Sequence, residues 1–417
     1  MNTLLRSDRG WRDWRFRPAW PLAGIALLMP VSAALNWNAV VAAGFPSSVA
    51  MVAGSIACMA LVSLMASRAT KVPLGSVPRA VMVSAVLSFG VLTAALLVTR
   101  SYFSESYVLI AFGWTIAWVS AGLWLRSRLI GPPKWGLAAV GCVEPLHEVE
   151  RVVWVDLPEV PDQVAGFGAI VADMRRPHSE AWSRFLTDCR LARVPVLDAS
   201  AVYEAATGRV RSEWVSESEL LSACGARRRF SLKLALDYLC TLLVAPLAVI
   251  LVLGSAVAIK LDDGGPIFFT QRRVGLGGRT FRIFKLRTMT GEGPADAAHI
   301  GGTPTRIGRF LRRFRLDELP QLLNVLRGEM SIVGPRPEQR AIVDTYTAEI
   351  PAYGVRHIVR PGLTGWSQVH YGYAADAQES SEKLEYDLYY IKHRSFLLDF
   401  TILIRSIGVV VTGRGAL

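Results

Sequence analysis

Four apolar runs stand within residues 1–128, near Pro18–Trp37, Ser47–Ala66, Val81–Val98 and Val108–Leu125. They restrict the fold more than any other feature. Each approaches the ~20 residues an α-helix needs to cross the hydrocarbon core of a bilayer, and none carries an acid or base in its middle. In lipid every backbone donor and acceptor must be satisfied within the segment, so such runs become helices. A composition of 52% hydrophobic and only 19% charged residues over 417 positions agrees with a membrane protein.

Arg6, Arg9, Arg12, Arg15 and Arg17 precede the first run without a small-residue cleavage site, which predicts a retained anchor rather than a cleaved signal peptide. Arg68, Lys71 and Arg79 separate the second and third runs, and Arg126, Arg128 and Lys134 follow the fourth. The loop Asn38–Pro46 is uncharged, and the loop after the third run offers Arg100 and Glu105. By the positive-inside rule both ends of the anchor face the cytoplasm. The net charge of +12 clusters beside apolar segments, which suits anionic lipid and phosphorylated substrates, and no nucleic-acid partner is expected. Five cysteines without a CxxC pair indicate neither a disulfide framework nor a zinc site.

Residues 129–210 read as an α/β auxiliary domain, with strands near Gly136–Val140, Arg151–Val155, Gly168–Val171 and Pro195–Leu197 and a helix near Ser179–Arg193. The turn Val140–Pro145 has one glycine and then a proline. It therefore lacks the glycine-rich fingerprint of a dinucleotide site, and a structural or regulatory role is expected. Residues 211–229 read as a polar linker ending in Arg227, Arg228 and Arg229. A fifth apolar run, Leu232–Ile259, is basic at both flanks and has Pro246 in its middle. That pattern predicts a helix-break-helix dipping into the inner leaflet, with a plain transmembrane span as the competing reading. Asp237 near its start should pair with a base such as Lys233.

From Gln271 the chain runs QRRVGLGGRTFRIFKLRTM, placing three glycines among Arg272, Arg273, Lys285 and Arg287. Glycines let backbone amides approach phosphate oxygens, and the bases supply opposing charge. A basic helix follows at Thr305–Phe314, then Leu316–Asp317–Glu318–Leu319–Pro320–Gln321. Asp317 fits a helix N-cap and Pro320 a first turn, so the two carboxylates can be purely structural. Amid so many bases they also offer an oxygen nucleophile for phosphorus and a hard Mg²⁺ ligand. Pro335 and Pro337 flank Arg336 and fix the loop that would hold it against a phosphate. The apolar segment Phe396–Val411 contains Asp399 and Arg405 and should lie in the membrane interface.

Together these residues resemble the bacterial sugar transferase family, the monotopic polyprenyl-phosphate phosphoglycosyl transferases. The carrying motifs lie in residues 227–417: QRRVGLGGRTFRIFKLRTM, TRIGRFLRRFRLDELPQLLNVLRGEMSIVGPRP, VRPGLTGWSQV and GRGA. The four N-terminal runs and the α/β domain resemble the large-form members, and Tyr371–Lys392 resembles the subgroup found with exopolysaccharide systems. One departure is Ala245–Pro246, where family members often carry Ser-Pro at the helix break.

The resemblance implies a fold of membrane α plus α/β class: a four-helix transmembrane anchor, a degenerate Rossmann-like cytosolic domain, and a mainly α catalytic domain at 230–417 with a re-entrant helix. It implies a bacterial inner-membrane enzyme, active on the cytoplasmic face, that moves hexose 1-phosphate from a UDP-sugar to undecaprenyl phosphate and releases UMP at the start of glycan assembly. Asp317 would be the nucleophile that carries the phosphosugar, with ping-pong kinetics, and Glu318 would bind Mg²⁺. Arg272, Arg273, Lys285, Arg287, Arg336 and Arg360 would bind substrate. Asp237, Pro246, Pro335 and Pro337 would be structural, and a homo-oligomer would be compatible with the auxiliary domain and anchor. A glycosyl transferase releasing UDP and a non-catalytic scaffold of polysaccharide assembly are the alternatives.

Overall fold

The computed structural model describes residues 20, 23–24, 45–69, 77–99, 104–129, 132–150, 152–161, 166–215, 227–290, 303–350, 352–371 and 377–412. It divides into two compact units, Met1–Thr207 and Gly208–Leu417.

In the first unit the second, third and fourth apolar runs form helices Phe45–Ala69, Val77–Val98 and Glu105–Leu129. Met51, Cys58, Phe89, Tyr107 and Ala111 make one packed cluster between them, and Val62, Val81, Ala85 and Val119 another. Lipid tails are as apolar as these side chains, so close van der Waals fit holds the helices together. Gly54 shows how close that fit is, because a Cβ there would collide with Leu92 Cδ1. The buried Ser55 and Thr115 hydroxyls donate back to the Met51 and Ala111 carbonyls at 2.9 and 2.8 Å. Leu87, Val91, Leu97 and Leu109 face outward, exposed. Most of the run Pro18–Trp37 lies outside the described residues, but Trp20 stacks on Trp118 at 4.7 Å.

The α/β part holds strands β1 (Lys134–Ala138), β2 (Val153–Leu157), β3 (Ala169–Ala172) and β4 (Val196–Asp198). They form a parallel sheet of order β2-β1-β3-β4. The first two strands are displaced by two residues from their expected positions, in opposite directions. Ser179 caps helix Glu180–Leu191 by accepting the Trp182 amide. Strand order reverses between β1 and β3, the point where open parallel sheets bind ligands beyond their carboxyl ends. Here Asp173, 1% exposed, fills that position. Its carboxylate accepts from the Cys142 amide at 3.3 Å, and from the amide, Nε and Nη2 of Arg175 at 3.1, 2.8 and 2.9 Å. Gly141, at φ +79°, leaves no room for a side chain, since its Cβ would meet Asp173 Oδ2 at 2.5 Å.

After a short 3₁₀ turn at Ser212–Trp214, the second unit's first long helix is Arg227–Asp263. A helix-break-helix was expected, but a single helix runs through with Pro246 inside it. Proline removes one intrahelical donor and kinks a helix without ending it when the flanking turns keep their bonds. Both ends of this helix dock on its own unit. Near the start, Asp237 accepts from Ser331 Oγ at 2.7 Å and from the Ile332 amide at 3.4 Å. Lys233 lies 4.0 Å from Asp237 but 2.7 Å from Asp399. Near the end, Ile259 packs with Leu286 and Leu311, and Asp262 accepts the Ile307 amide at 3.1 Å. Between these anchors Leu239, Leu243, Leu247 and Ile250 are 60–80% exposed. Such a surface belongs in hydrocarbon. Leu232–Asp263, Val81–Val98 and Glu105–Leu125 are long and apolar enough to cross a membrane.

An antiparallel hairpin of β5 (Phe268–Val274) and β6 (Thr280–Leu286) follows. Strands Ser331–Val333 and Gly362–Thr364 pair in parallel. Helix Phe396–Thr412 buries Asp399 and exposes Phe396, Leu397, Phe400, Ile404 and Ile407 along one side. That is the shape of an interfacial helix.

Candidate active site

Helix Arg306–Arg313 is capped by Thr305, whose hydroxyl accepts the Gly308 amide at 2.8 Å. It ends at Phe314, and Arg315 then turns the chain through the left-handed region at φ 55°. The following residues, Leu316–Gln321, form a 3₁₀ helix with Pro320 inside it. Asp317 was expected as an N-cap, but Arg315 takes that position and Asp317 lies within the first turn. The left-handed residue causes the shift by reversing the chain two residues earlier. Asp317 and Glu318 are consequently 8% and 6% exposed.

Adjacent in sequence, the two carboxylates have opposite surroundings. Glu318 Oε1 accepts from Arg336 Nη2 at 2.9 Å and from Lys285 Nζ at 3.0 Å, and Arg315 Nη1 lies 3.7 Å away. Asp317 joins no ion pair among the described residues, and its buried Oδ1 has no hydrogen-bond partner. Burial raises the Glu318 carboxyl, but Arg336, Lys285 and Arg315 outweigh it and hold the group well below the usual carboxylate range. For Asp317 burial prevails: it pushes the carboxyl up, against the pull of Lys285 and with the help of the Glu318 charge. Burial likewise lowers the Lys285 ammonium, which Glu318 opposes.

The loop Pro335–Arg336–Pro337 is held by its backbone. Pro335 O accepts the Gly362 amide at 2.8 Å, Arg336 O accepts Arg356 Nη2 at 3.0 Å, and Pro337 O accepts Arg273 Nη1 at 3.3 Å. Arg356 is buried and also donates to Asp387 at 2.9 Å and to the Tyr353 hydroxyl at 2.6 Å. Behind the loop, Glu338 meets Lys383 at 2.8 Å, Arg273 at 3.6 Å and Arg356 at 3.9 Å. Burial raises Glu338, but these three cations bring it down to about 2. The loop thus rests on a network of opposed charges, which fixes where Arg336 can reach.

Of the residues singled out in the sequence, Asp317, Glu318, Lys285 and Arg336 converge, and Pro335 and Pro337 shape the loop beside them. Arg273 belongs to the network behind the loop. Arg272 is exposed and opposite Arg282 across the hairpin. Arg287 turns to Asp263 and to the Pro266 carbonyl, at the end of the long helix. Arg360 donates to the Gly328 carbonyl at 2.9 Å and lines a small cavity with Lys233 and Asp237. Sequence reasoning missed Arg315, Glu338, Arg356 and Asp387. Only Arg315 left a trace, as one of several arginines beside the acid pair, with no spacing to distinguish it.

The family described as bacterial sugar transferase matches residues 228–413. Over 374 residues, 87% of this chain and 87% of the relative, the chain is 38% identical to the UDP-N-acetylgalactosamine-undecaprenyl-phosphate N-acetylgalactosaminephosphotransferase of Aeromonas hydrophila. It is 44% identical over 186 residues, 43% of this chain and 70% of the relative, to the UDP-glucose:undecaprenyl-phosphate glucose-1-phosphate transferase of Caulobacter vibrioides. With the protein of the same description from Escherichia coli it shares 40% identity over 158 residues, 36% of this chain and 34% of the relative. The chain is a transferase enzyme. It belongs to the bacterial sugar transferase family.

Proposed function

We propose that this chain transfers a hexose 1-phosphate from a UDP-sugar to undecaprenyl phosphate, through a covalent phosphosugar on Asp317, as an initiating step of exopolysaccharide or related glycan synthesis. The observation that carries this reading is the unpartnered Asp317 carboxylate beside a Glu318 that collects three cations. A buried carboxylate without partners is costly for a fold and is kept where its reactivity is used.

In the first half-reaction an Asp317 oxygen attacks the phosphorus that bears the sugar. The bond from that phosphorus to the oxygen bridging the two phosphates breaks, and UMP leaves with the electron pair. Arg336 and Lys285 oppose the charge gathering on the departing phosphate. In the second half-reaction an oxygen of undecaprenyl phosphate attacks the same phosphorus. The acyl-phosphate bond breaks, and Asp317 returns as a carboxylate. The product is undecaprenyl diphosphate sugar, and the two steps predict ping-pong kinetics.

Mg²⁺ fits this donor set. No cluster of three or more His, Cys, Asp or Glu exists among the described residues, and Mg²⁺ characteristically takes one or two carboxylates and completes its shell with water and substrate phosphates. Glu318 would hold it, and the ion would neutralise diphosphate charge when bound. For the membrane we propose that the long helix, continuous but kinked at Pro246, dips into the inner leaflet of the bacterial inner membrane and returns, with the site on the cytoplasmic face. The two docked ends and the exposed leucines between them support this.

The test is incubation of purified protein with Mg²⁺, undecaprenyl phosphate and a panel of UDP-sugars that includes glucose and N-acetylgalactosamine. UMP release that stops with EDTA is expected. Release of UDP instead would overturn the reading.

A further inference from the structure

The motif that begins at Gln271 contributes Lys285 to the Asp-Glu pair and Arg273 to the loop, but its first residue has no role so far. Gln271 lies opposite Ile283 in the β5/β6 hairpin, while Phe269 lies opposite Lys285 and Arg273 opposite Phe281. Side chains alternate along a strand and cross-strand partners share a face, so Phe269, Gln271, Arg273, Ile283 and Lys285 project from one face. On that face Lys285 reaches Glu318 at 3.0 Å, and Arg273 reaches Pro337 O at 3.3 Å. Gln271 stands between them, where the seam joins the carboxylate pair to the Pro335–Pro337 loop. It is 3% exposed, and its buried Nε2 has no hydrogen-bond partner.

An amide donor sealed without a partner destabilises a fold, and an apolar side chain of the same length would relieve that cost. Asp317 Oδ1 is another of the buried atoms of this unit that have no hydrogen-bond partner. One is a donor and the other an acceptor. A phosphoryl group complements such a pair, with electrophilic phosphorus for the carboxylate and an oxygen to accept from the amide. Arg336, with its side chain 29% exposed, lies against Glu318 at 2.9 Å, and a diphosphate that draws this arginine to itself would open the seam.

We propose that Gln271 binds the sugar-bearing phosphate of the donor, its Nε2 donating to a non-bridging oxygen during attack by Asp317. This rests on the reaction proposed above.

The experiment compares wild type with Gln271→Met and Gln271→Glu in the full chain, reading UMP release in the absence of undecaprenyl phosphate together with thermal unfolding. Wild-type release of UDP, or none, would sink the reaction itself, independently of Gln271. Given a wild-type burst of UMP, Gln271→Met should lower the second-order rate constant of that burst with UDP-sugar by roughly tenfold or more, the scale of a hydrogen bond to a charged group. Its Tm should be equal or higher. Gln271→Glu, which replaces the donor with a like charge, should lose at least as much. Activity within twofold of wild type for Gln271→Met would overturn the proposal. So would a loss accompanied by a lower Tm, because that marks a structural amide.

Discussion

Two buried aspartates, one in each unit, show how a fold separates a structural carboxylate from a reactive one. Asp173 sits at the reversal point of the parallel sheet and accepts four hydrogen bonds, three from Arg175 and one from the Cys142 amide. Asp317 sits in a 3₁₀ turn among arginines, and its Oδ1 accepts none. Burial raises both, but the Arg175 bonds carry Asp173 below the ordinary range, whereas Asp317 stays above it. Nearby positive charge alone does not decide the matter, since Asp317 has more of it. What decides is where the cations are directed. Arg315, Lys285 and Arg336 all converge on one oxygen of Glu318, so Asp317 feels their field without being hydrogen-bonded by them, a condition in which a carboxylate keeps its nucleophilicity.

The sharpest way to break this contrast is to remove the charge of Asp317. Asp317→Asn should abolish UMP release, by roughly a thousandfold or more, and should eliminate the phosphosugar adduct seen by intact-mass spectrometry after incubation with UDP-sugar. Its Tm should not fall, because no partner is lost. An adduct that persists would move the nucleophile elsewhere.

A smaller effect tests the cations. Asp317 must be ionised to attack, and its carboxyl is raised, so kcat/KM for the UDP-sugar should decline as pH falls through a value above the usual aspartate range. Lys285 opposes that rise. Lys285→Met should therefore shift the acid limb to still higher pH and slow the reaction at neutral pH, by about ten- to a hundredfold. An acid limb that stays where it is would show that another group sets it.

Much of this was legible in the sequence, for identifiable reasons. Apolar helices can be read directly, because lipid demands long uninterrupted runs, and Val81–Val98 appears in the structure with its run nearly unchanged. The acid pair, Lys285 and Arg336 were legible because short motifs fix them on the turn, strand and loop that meet. Arg287 and Arg360 were grouped with them on charge alone, and charge does not state direction: one turns to Asp263, the other to a carbonyl. Arg356 and Asp387, separated by 31 positions, gave no local signal, since only tertiary packing brings them under the loop. The break at Pro246 was overread, because a proline alone does not say whether the turns around it keep their bonds.

The smallest effect on activity is expected at the other aspartate. Asp173→Ala removes the acceptor of the Cys142 amide and leaves the exposed Arg175 guanidinium to water, which should cost about 0.5–1.5 kcal/mol and lower the Tm of the first unit's transition. Because the folded-state value of Asp173 is depressed, its contribution is present above the ordinary aspartate range, near pH 4, and is lost as pH falls through the depressed value. The Tm difference between variant and wild type should accordingly narrow toward acid. UMP release per folded molecule should stay within about twofold of wild type, the scale of a change that leaves the chemistry untouched. Asp173 occupies the place where a parallel sheet of this order receives an anionic ligand, and its own carboxylate already binds the amide and guanidinium that would do so. A nucleotide that raised the Tm of Asp173→Ala but not of wild type would show that the anion site still exists beneath the side chain that fills it. Loss of activity in a fully folded Asp173→Ala would instead mean that this unit acts in the reaction, and the separation between structural and reactive aspartates would fail.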